Sequence, residues 1–171
     1  LVGSEMCIRD RAKEVHEAIV NLGDSLPRPT AYFASPLIRA LDTLNIEWCH
    51  LLQDSSPVQV YEELRETIGK NTCDKRSPRS EIQLRYPNVA LNITETDELW
   101  TSDREQEDEM RKRVHSALSR IWNDAQNDKG VLSLTVISIT VHGGVIQRFF
   151  EVLGLRGEVP VGGTFETHRH L

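Results

Sequence analysis

The sequence has few cysteines and no long apolar run. Only Cys7, Cys49 and Cys73 occur among its 171 residues, and their spacing fits neither a disulfide framework nor a metal-binding motif. We therefore expect a reducing compartment, the cytoplasm, where disulfides are rare. No segment reaches the roughly 18–20 consecutive apolar residues that a membrane span needs. The sequence thus argues against a disulfide-stabilised scaffold and predicts no membrane partner.

The chain also has no excess of basic charge. Its net charge is −6 and its pI is about 5.5, which argues against binding to nucleic acid. Hydrophobic residues make up 39% and charged residues 27% of the chain. This balance is typical of a globular protein with a real core, and the length fits one domain. The oligomeric state stays open.

The opening segment, LVGSEMCIRDR, has neither a signal-peptide pattern nor a clear period. It resembles, residue for residue, the read-through translation of a widely used transposase sequencing adapter. We expect residues 1–11 to be non-native and residues 12–171 to form a single domain that is truncated upstream. The alternative is a genuine, disordered N-terminus.

Apolar periodicity and turn residues predict alternating helices and strands. Ser35-Pro36 predicts a helix start, with serine as the N-cap. Ser102 and Glu105 form a capping-box pattern at the start of a long helix. The predicted helices are Ala12–Leu22, one from Pro36 to about Leu51, one beginning at Ser77-Pro78 and one from about Asp103 to Gln126; the predicted strands are Thr30–Ala34, Pro57–Tyr61 and Leu132–Val141. This order indicates an α/β fold with a mostly parallel sheet.

The most apolar stretch, Val131–Val152, contains the clearest candidate site. A buried strand is predicted to end at His142, and a helix follows the turn formed by Gly143 and Gly144. Glycines let backbone N–H groups approach a ligand, and a helix N-terminus carries partial positive charge. The pattern predicts an anion site with an imidazole at its edge, although such a histidine can also be a structural residue.

Two further residues are candidates. Arg39 lies in the first turn after a predicted strand, where its planar fork would suit a phosphate; the alternative is a solvated arginine. Glu66 lies in a segment rich in basic residues and should stay ionised unless burial raises its pKa; the alternative is a surface acid. The basic residues near Glu66 are Arg65, Lys70, Lys75, Arg76 and Arg79.

Three segments together resemble the histidine phosphatase superfamily, which has the phosphoglycerate-mutase-like fold. Ala34–Ala40 (ASPLIRA) is similar to its SPLxRA segment, Leu64–Gly69 (LRETIG) to its acid–base segment, and Val141–Ile146 (VHGGVI) to its second-histidine segment. They occur in the family's order, and Asp74–Ile82 resembles a fungal branch. The resemblance implies a three-layer α/β sandwich with a mostly parallel central sheet.

The resemblance also implies a phosphohistidine mechanism acting on a small phosphorylated substrate. In it, Arg39 would clamp the phosphoryl oxygens, and Glu66 would protonate the leaving oxygen and later activate water. His142 would stabilise charge on an equatorial oxygen, with help from the Gly143 N–H. Phosphoryl transfer depends chiefly on such positioning and charge stabilisation. The family needs no metal or other cofactor, and we expect none here.

The chain departs from the family pattern in one decisive respect. It contains no Arg-His-Gly, the motif that carries the nucleophile, and His16 lies in a predicted helix, where it cannot substitute. We therefore expect an inactive fragment of a phosphomonoesterase that lacks its first strand. The alternatives are a non-catalytic module that binds a phospholigand and a phosphoglycerate mutase-type phosphotransferase.

Overall fold

A computed structural model describes residues 2–52, 57–127 and 136–155. Within these ranges helices alternate with short strands, as the sequence predicts. The helices are α1 (Val2–Leu22), α2 (Ile38–Leu52), α3 (Arg79–Arg85), α4 (Glu107–Asn127) and α5 (Gly143–Leu153), and the strands are β1 (Ala31–Ala34), β2 (Val58–Val60), β3 (Val89–Leu91) and β4 (Ile137–Thr140). Single 3₁₀ turns cover Gly23–Ser25, Glu62–Leu64 and Thr72–Asp74. No helix in the described ranges is long and apolar enough to cross a membrane.

The four strands form one parallel sheet in the order β3-β2-β1-β4. The register pairs Ala34 with Val60 of β2 and with Thr140 of β4. The carboxyl ends of these three strands therefore meet at one edge of the sheet. In parallel α/β sheets this edge is where ligands bind.

Helices cover both faces of the sheet, which confirms the predicted α/β architecture. Successive residues of β1 point to opposite faces: Tyr32 and Ala34 join a core cluster with α1, α2 and α3, whereas Phe33 joins one with α4 and α5. The first cluster includes Ile19, Leu41, Leu44, Trp48 and Ile82; the second includes Met110, Val114, Ala117, Val145 and Phe149. The absence of a first strand stays a prediction.

The starts of α2 and α4 differ from their predicted positions. Helix α2 begins at Ile38 rather than at Pro36, and the Ser35 hydroxyl accepts a hydrogen bond from the Leu37 N–H at 3.3 Å. Helix α4 begins at Glu107, so the Ser102–Glu105 capping box is wrong. Glu105 instead accepts from the Ile68 N–H at 3.0 Å, a long-range contact that local sequence does not reveal.

Other element boundaries differ from those that hydrophobic periodicity predicts. Strand β3 lies in a polar, turn-rich stretch for which the sequence gives no clear pattern. Helix α1 begins at Val2, ahead of the predicted start at Ala12, and the origin of its first residues stays a prediction. The predicted strand Leu132–Val141 is seen as Ile137–Thr140, and residues 131–135 lie outside the described ranges.

Candidate active site

The site is built where β1, β2 and β4 end. The Ser35 N–H donates to the Thr140 carbonyl at 3.1 Å, and the Tyr61 N–H donates to the Ala34 carbonyl at 3.2 Å. These two bonds continue the sheet one residue past its strands. They hold the loop after each strand beside the next, so residues far apart in sequence meet at this edge.

His142 lies at this edge, as the sequence predicts. It is the N-cap of α5, with extended backbone angles (φ −117°, ψ 157°), and only 8% of it is exposed. Its Nε2 is 2.8 Å from the hydroxyl oxygen of the fully buried Ser35. Burial, reinforced by the positive charge of Arg39, lowers the pKa of His142 to about 3. The ring is therefore neutral at physiological pH.

The two glycines after His142 have different surroundings. Gly143 is exposed, and a Cβ built on it would meet open space. A Cβ on Gly144 would lie 2.5 Å from Glu66 Oε1 and 3.4 Å from Met110 Cε. A side chain at position 144 would therefore force the Glu66 carboxylate to shift. The structure thus brings the Glu66 carboxylate against the first turn of α5, beside His142.

Glu66 itself is half-buried, and its Oε1 accepts a hydrogen bond from the Thr67 N–H at 2.9 Å. Two of the basic residues predicted near Glu66 pair with other acids. Arg65 pairs with Asp97 and Arg76 with Glu62. Because the arginines are buried, each turns toward the acid that compensates its charge.

The Arg39 side chain is neither fully exposed to solvent nor free of protein partners. Its Nη2 donates to Asp74 Oδ1 at 3.0 Å, and 31% of its side chain is exposed. Asp74 Oδ2 also accepts from Arg104 Nη1 at 2.8 Å. Burial opposes ionisation of Asp74, but hydrogen bonds from Arg104 and Arg39 outweigh it and hold its pKa below the usual value. The buried carboxylate therefore fixes Arg39 at the edge that also carries His142.

Sequence reasoning missed the residues that position the candidates. The sequence marks Asp74 only as part of the family-like segment Asp74–Ile82, and no sequence motif distinguishes Asp97 or Arg113. The Arg113 guanidinium donates to the carbonyls of Glu63 and Arg65 at 2.7 and 2.8 Å and pairs with Glu105 at 2.6 Å. A weak signal was available: Arg113 directly precedes Val114, which lies in the apolar stripe of its helix.

The parallel sheet and the histidine, arginine and glutamate near its carboxyl edge are features of the histidine phosphatase class. The sequence matches the family described as the histidine phosphatase superfamily (branch 1) over residues 9–156. The chain belongs to this family, as its three motifs predict.

Fungal proteins named as mutase-like are among its relatives. It is 37% identical over 139 residues to a probable phosphoglycerate mutase of Arthroderma benhamiae, covering 78% of this chain and 39% of that protein. It is 31% identical over 159 residues to the phosphomutase-like protein 3 of Candida albicans, covering 87% and 48%. The chain therefore spans less than half the length of these relatives.

Solved structures share the fold at lower identity. The ecdysone phosphate phosphatase of Bombix mori, in complex with tungstate, superposes with a TM-score of 0.58 at 21% identity, covering 95% of this chain and 61% of that one. A mycobacterial glucosyl-3-phosphoglycerate phosphatase gives a TM-score of 0.52 at 19% identity, covering 90% and 68%. At these identities the likeness establishes the fold alone.

Proposed function

We propose that the chain is a fragment of a phosphomonoesterase that hydrolyses small phosphate esters through a phosphohistidine. The observation that carries the proposal is the contact between Glu66 and the first turn of α5, next to His142. A carboxyl group and a neutral imidazole at one helix N-terminus supply a proton donor and an oxyanion stabiliser side by side.

Each candidate residue has a role consistent with its contacts. Arg39 would clamp the phosphoryl oxygens with the guanidinium N–H groups that are used neither by Asp74 nor by the Cys73 carbonyl. His142, neutral and held by Ser35, would donate a hydrogen bond to an equatorial oxygen without a proton-transfer step. Glu66 would protonate the leaving oxygen and then activate water, while the exposed Gly143 would offer its N–H to the phosphoryl group.

The proposal includes inactivity of the chain as given. Its sequence contains no Arg-His-Gly, and without a nucleophile neither the covalent phosphohistidine nor its hydrolysis can occur. No metal or other cofactor has a part in these roles. We place the intact enzyme in the reducing cytoplasm, in keeping with the few cysteines.

The first test is an assay of the purified chain with a generic aryl phosphate. We expect no turnover above a buffer blank. Turnover that His142→Ala abolishes would show that this chain carries a working nucleophile and would refute the proposal. Arg111→Gln, an exposed arginine on α4, is the matched control.

A second candidate is a non-catalytic module that binds a phospholigand, favoured by the Arg39 and His142 pair near the sheet edge. Recovery of the uninterrupted transcript discriminates between the two. An upstream apolar strand ending in Arg-His-Gly supports the enzyme, whereas a complete native start without it supports the binding module. A mutase, the activity in the relatives' names, would transfer the phosphoryl group within phosphoglycerate instead of to water.

A further inference from the structure

Helices α1 and α2 bring together three side chains that have no part in the proposed phosphatase site. His16 lies on α1, and Cys49 and His50 lie near the end of α2. One ligand atom from each of the three lies within 4.8 Å of those from the other two. Among the common cellular metals, Zn²⁺ is well suited to a donor set of two imidazoles and a thiol.

The position of these helices is fixed by the core, not by the three polar residues themselves. Ile19 of α1 and Trp48 of α2 belong to the same buried cluster, with exposures of 8% and 7%. Trp48 directly precedes Cys49, and Ile19 lies one helical turn after His16. The backbones that present the ligands are therefore held by apolar packing, which reduces the ordering cost of metal binding.

One ring nitrogen of His16 has a backbone partner. Its Nδ1 is 3.0 Å from the carbonyl oxygen of Glu47. A carbonyl only accepts, so Nδ1 must carry the proton and Nε2 is left with its lone pair. Ligating histidines commonly donate their other ring N–H to a backbone carbonyl in this way, which fixes the tautomer and the ring plane.

The remaining two ligands complete an open site. The His16 and His50 rings are edge to face, with centroids 5.1 Å apart and planes at 71°. Cys49 and His50 are exposed, and the thiol is free. Neighbouring ligands in a tetrahedral zinc site lie roughly 3.5 Å apart. Closure from 4.8 Å needs only small side-chain rotations at exposed positions.

We propose that His16, Cys49 and His50 form a zinc site that joins α1 to α2. Three protein ligands leave the fourth position of the tetrahedron to water. The Cys49 thiol loses its proton on binding, because the thiolate is the form that ligates zinc. The site lies at the opposite end of α2 from Arg39, and zinc bound there would link two helices on one face of the sheet.

The test compares alkylation of individual cysteines in the purified, unmodified chain. Iodoacetamide is added with and without one equivalent of Zn²⁺, and peptide mass spectrometry follows Cys49 and Cys73 separately. We expect zinc to slow alkylation of Cys49 at least tenfold and to leave Cys73, an exposed internal control, unchanged. Equal rates for Cys49 with and without zinc, or equal protection of both thiols, would overturn the proposal.

Variants then test whether the histidines take part. Co²⁺ is titrated into chains in which Cys7 and Cys73 are serine, and the sulfur-to-cobalt charge-transfer band reports binding at Cys49. We expect one ion per chain and at least tenfold weaker binding in both His16→Gln and His50→Gln, with His115→Gln, on α4, unchanged. An unchanged affinity in both ligand variants would mean that the thiol alone binds metal, and would refute the site. Phosphatase activity is not measured, so the outcome is independent of the proposed function.

Discussion

His142 is the residue whose chemistry depends most on its surroundings. An exposed histidine has a pKa of about 6.5, whereas burial and the charge of Arg39 lower the pKa of His142 to about 3. The neutral ring keeps one N–H, which can donate a hydrogen bond to a substrate oxygen. Its bond to Ser35, which is fully buried, fixes the ring beside Gly143 and Gly144.

This pKa predicts how stability changes with pH. Between about pH 3 and 6.5 the unfolded chain binds a proton on His142 that the folded chain does not, so the free energy of unfolding rises with pH. The stability that depends on a neutral His142 is fully present above pH 6.5 and is lost as the pH falls toward 3. His142→Gln should remove a slope of about 1 kcal/mol per pH unit between pH 4 and 6.

Urea denaturation at several pH values measures this slope. Ser35→Ala, which keeps the ring and removes its hydrogen-bond partner, should retain most of the pH dependence. Parallel curves for the wild type and His142→Gln would contradict the neutral, buried state of the histidine.

At the scale of elements, buried ion pairs hold the loops around the site. The segment after β2 contains Arg65, whose side chain is fully buried and donates two hydrogen bonds of 2.7 Å to Asp97. Helix α4 holds the same segment from the other side, through Arg113. Glu66 is therefore positioned by long-range contacts on both sides of its segment.

Loss of one partner in the buried pair should be costly. Asp97→Asn removes the carboxylate that accepts two 2.7 Å hydrogen bonds from the buried Arg65 and leaves it with Glu62, at 3.2 Å, as an acidic partner. We expect it to lower the free energy of unfolding by about 3 kcal/mol, the low end for a broken buried pair. Asp108→Asn, in an exposed pair with Arg111, should cost less than about 1 kcal/mol. Chemical denaturation of the two variants checks the difference, and equal costs would contradict a buried, charge-compensating role for Asp97.

At the scale of the whole molecule, the sheet has an apolar edge. Within the described ranges β4 pairs with β1 alone, and its Ile137 and Ile139 are only half-buried. An unpaired, apolar edge strand is a template for association with another chain.

We therefore expect the purified chain to self-associate. Ser138→Lys, which places a charge on β4, should shift the population toward monomer in sedimentation velocity experiments. Ser116→Lys, on the exposed surface of α4, should have little effect. A wild-type chain that is monomeric and unfolds cooperatively would contradict the open edge.

The sequence alone predicted the parts of the molecule that depend on local patterns. The strand–turn–helix units around Arg39 and His142 were visible because an apolar strand, a turn and a helical period follow each other within some twenty residues. The same motifs identified the family, which the match over residues 9–156 confirms. The sequence did not predict strand β3, because three residues in a polar stretch carry too little hydrophobic periodicity to be recognised.

Only the tertiary structure decided which distant side chains meet. It placed Glu66 against Gly144, Asp74 between Arg39 and Arg104, and brought together the histidine–cysteine cluster of the proposed zinc site. Secondary-structure propensity depends on neighbouring residues, whereas these contacts join elements whose residues are 30 or more positions apart. They follow from how the helices pack on the sheet and from the need to compensate buried charge, neither of which has a local sequence signal.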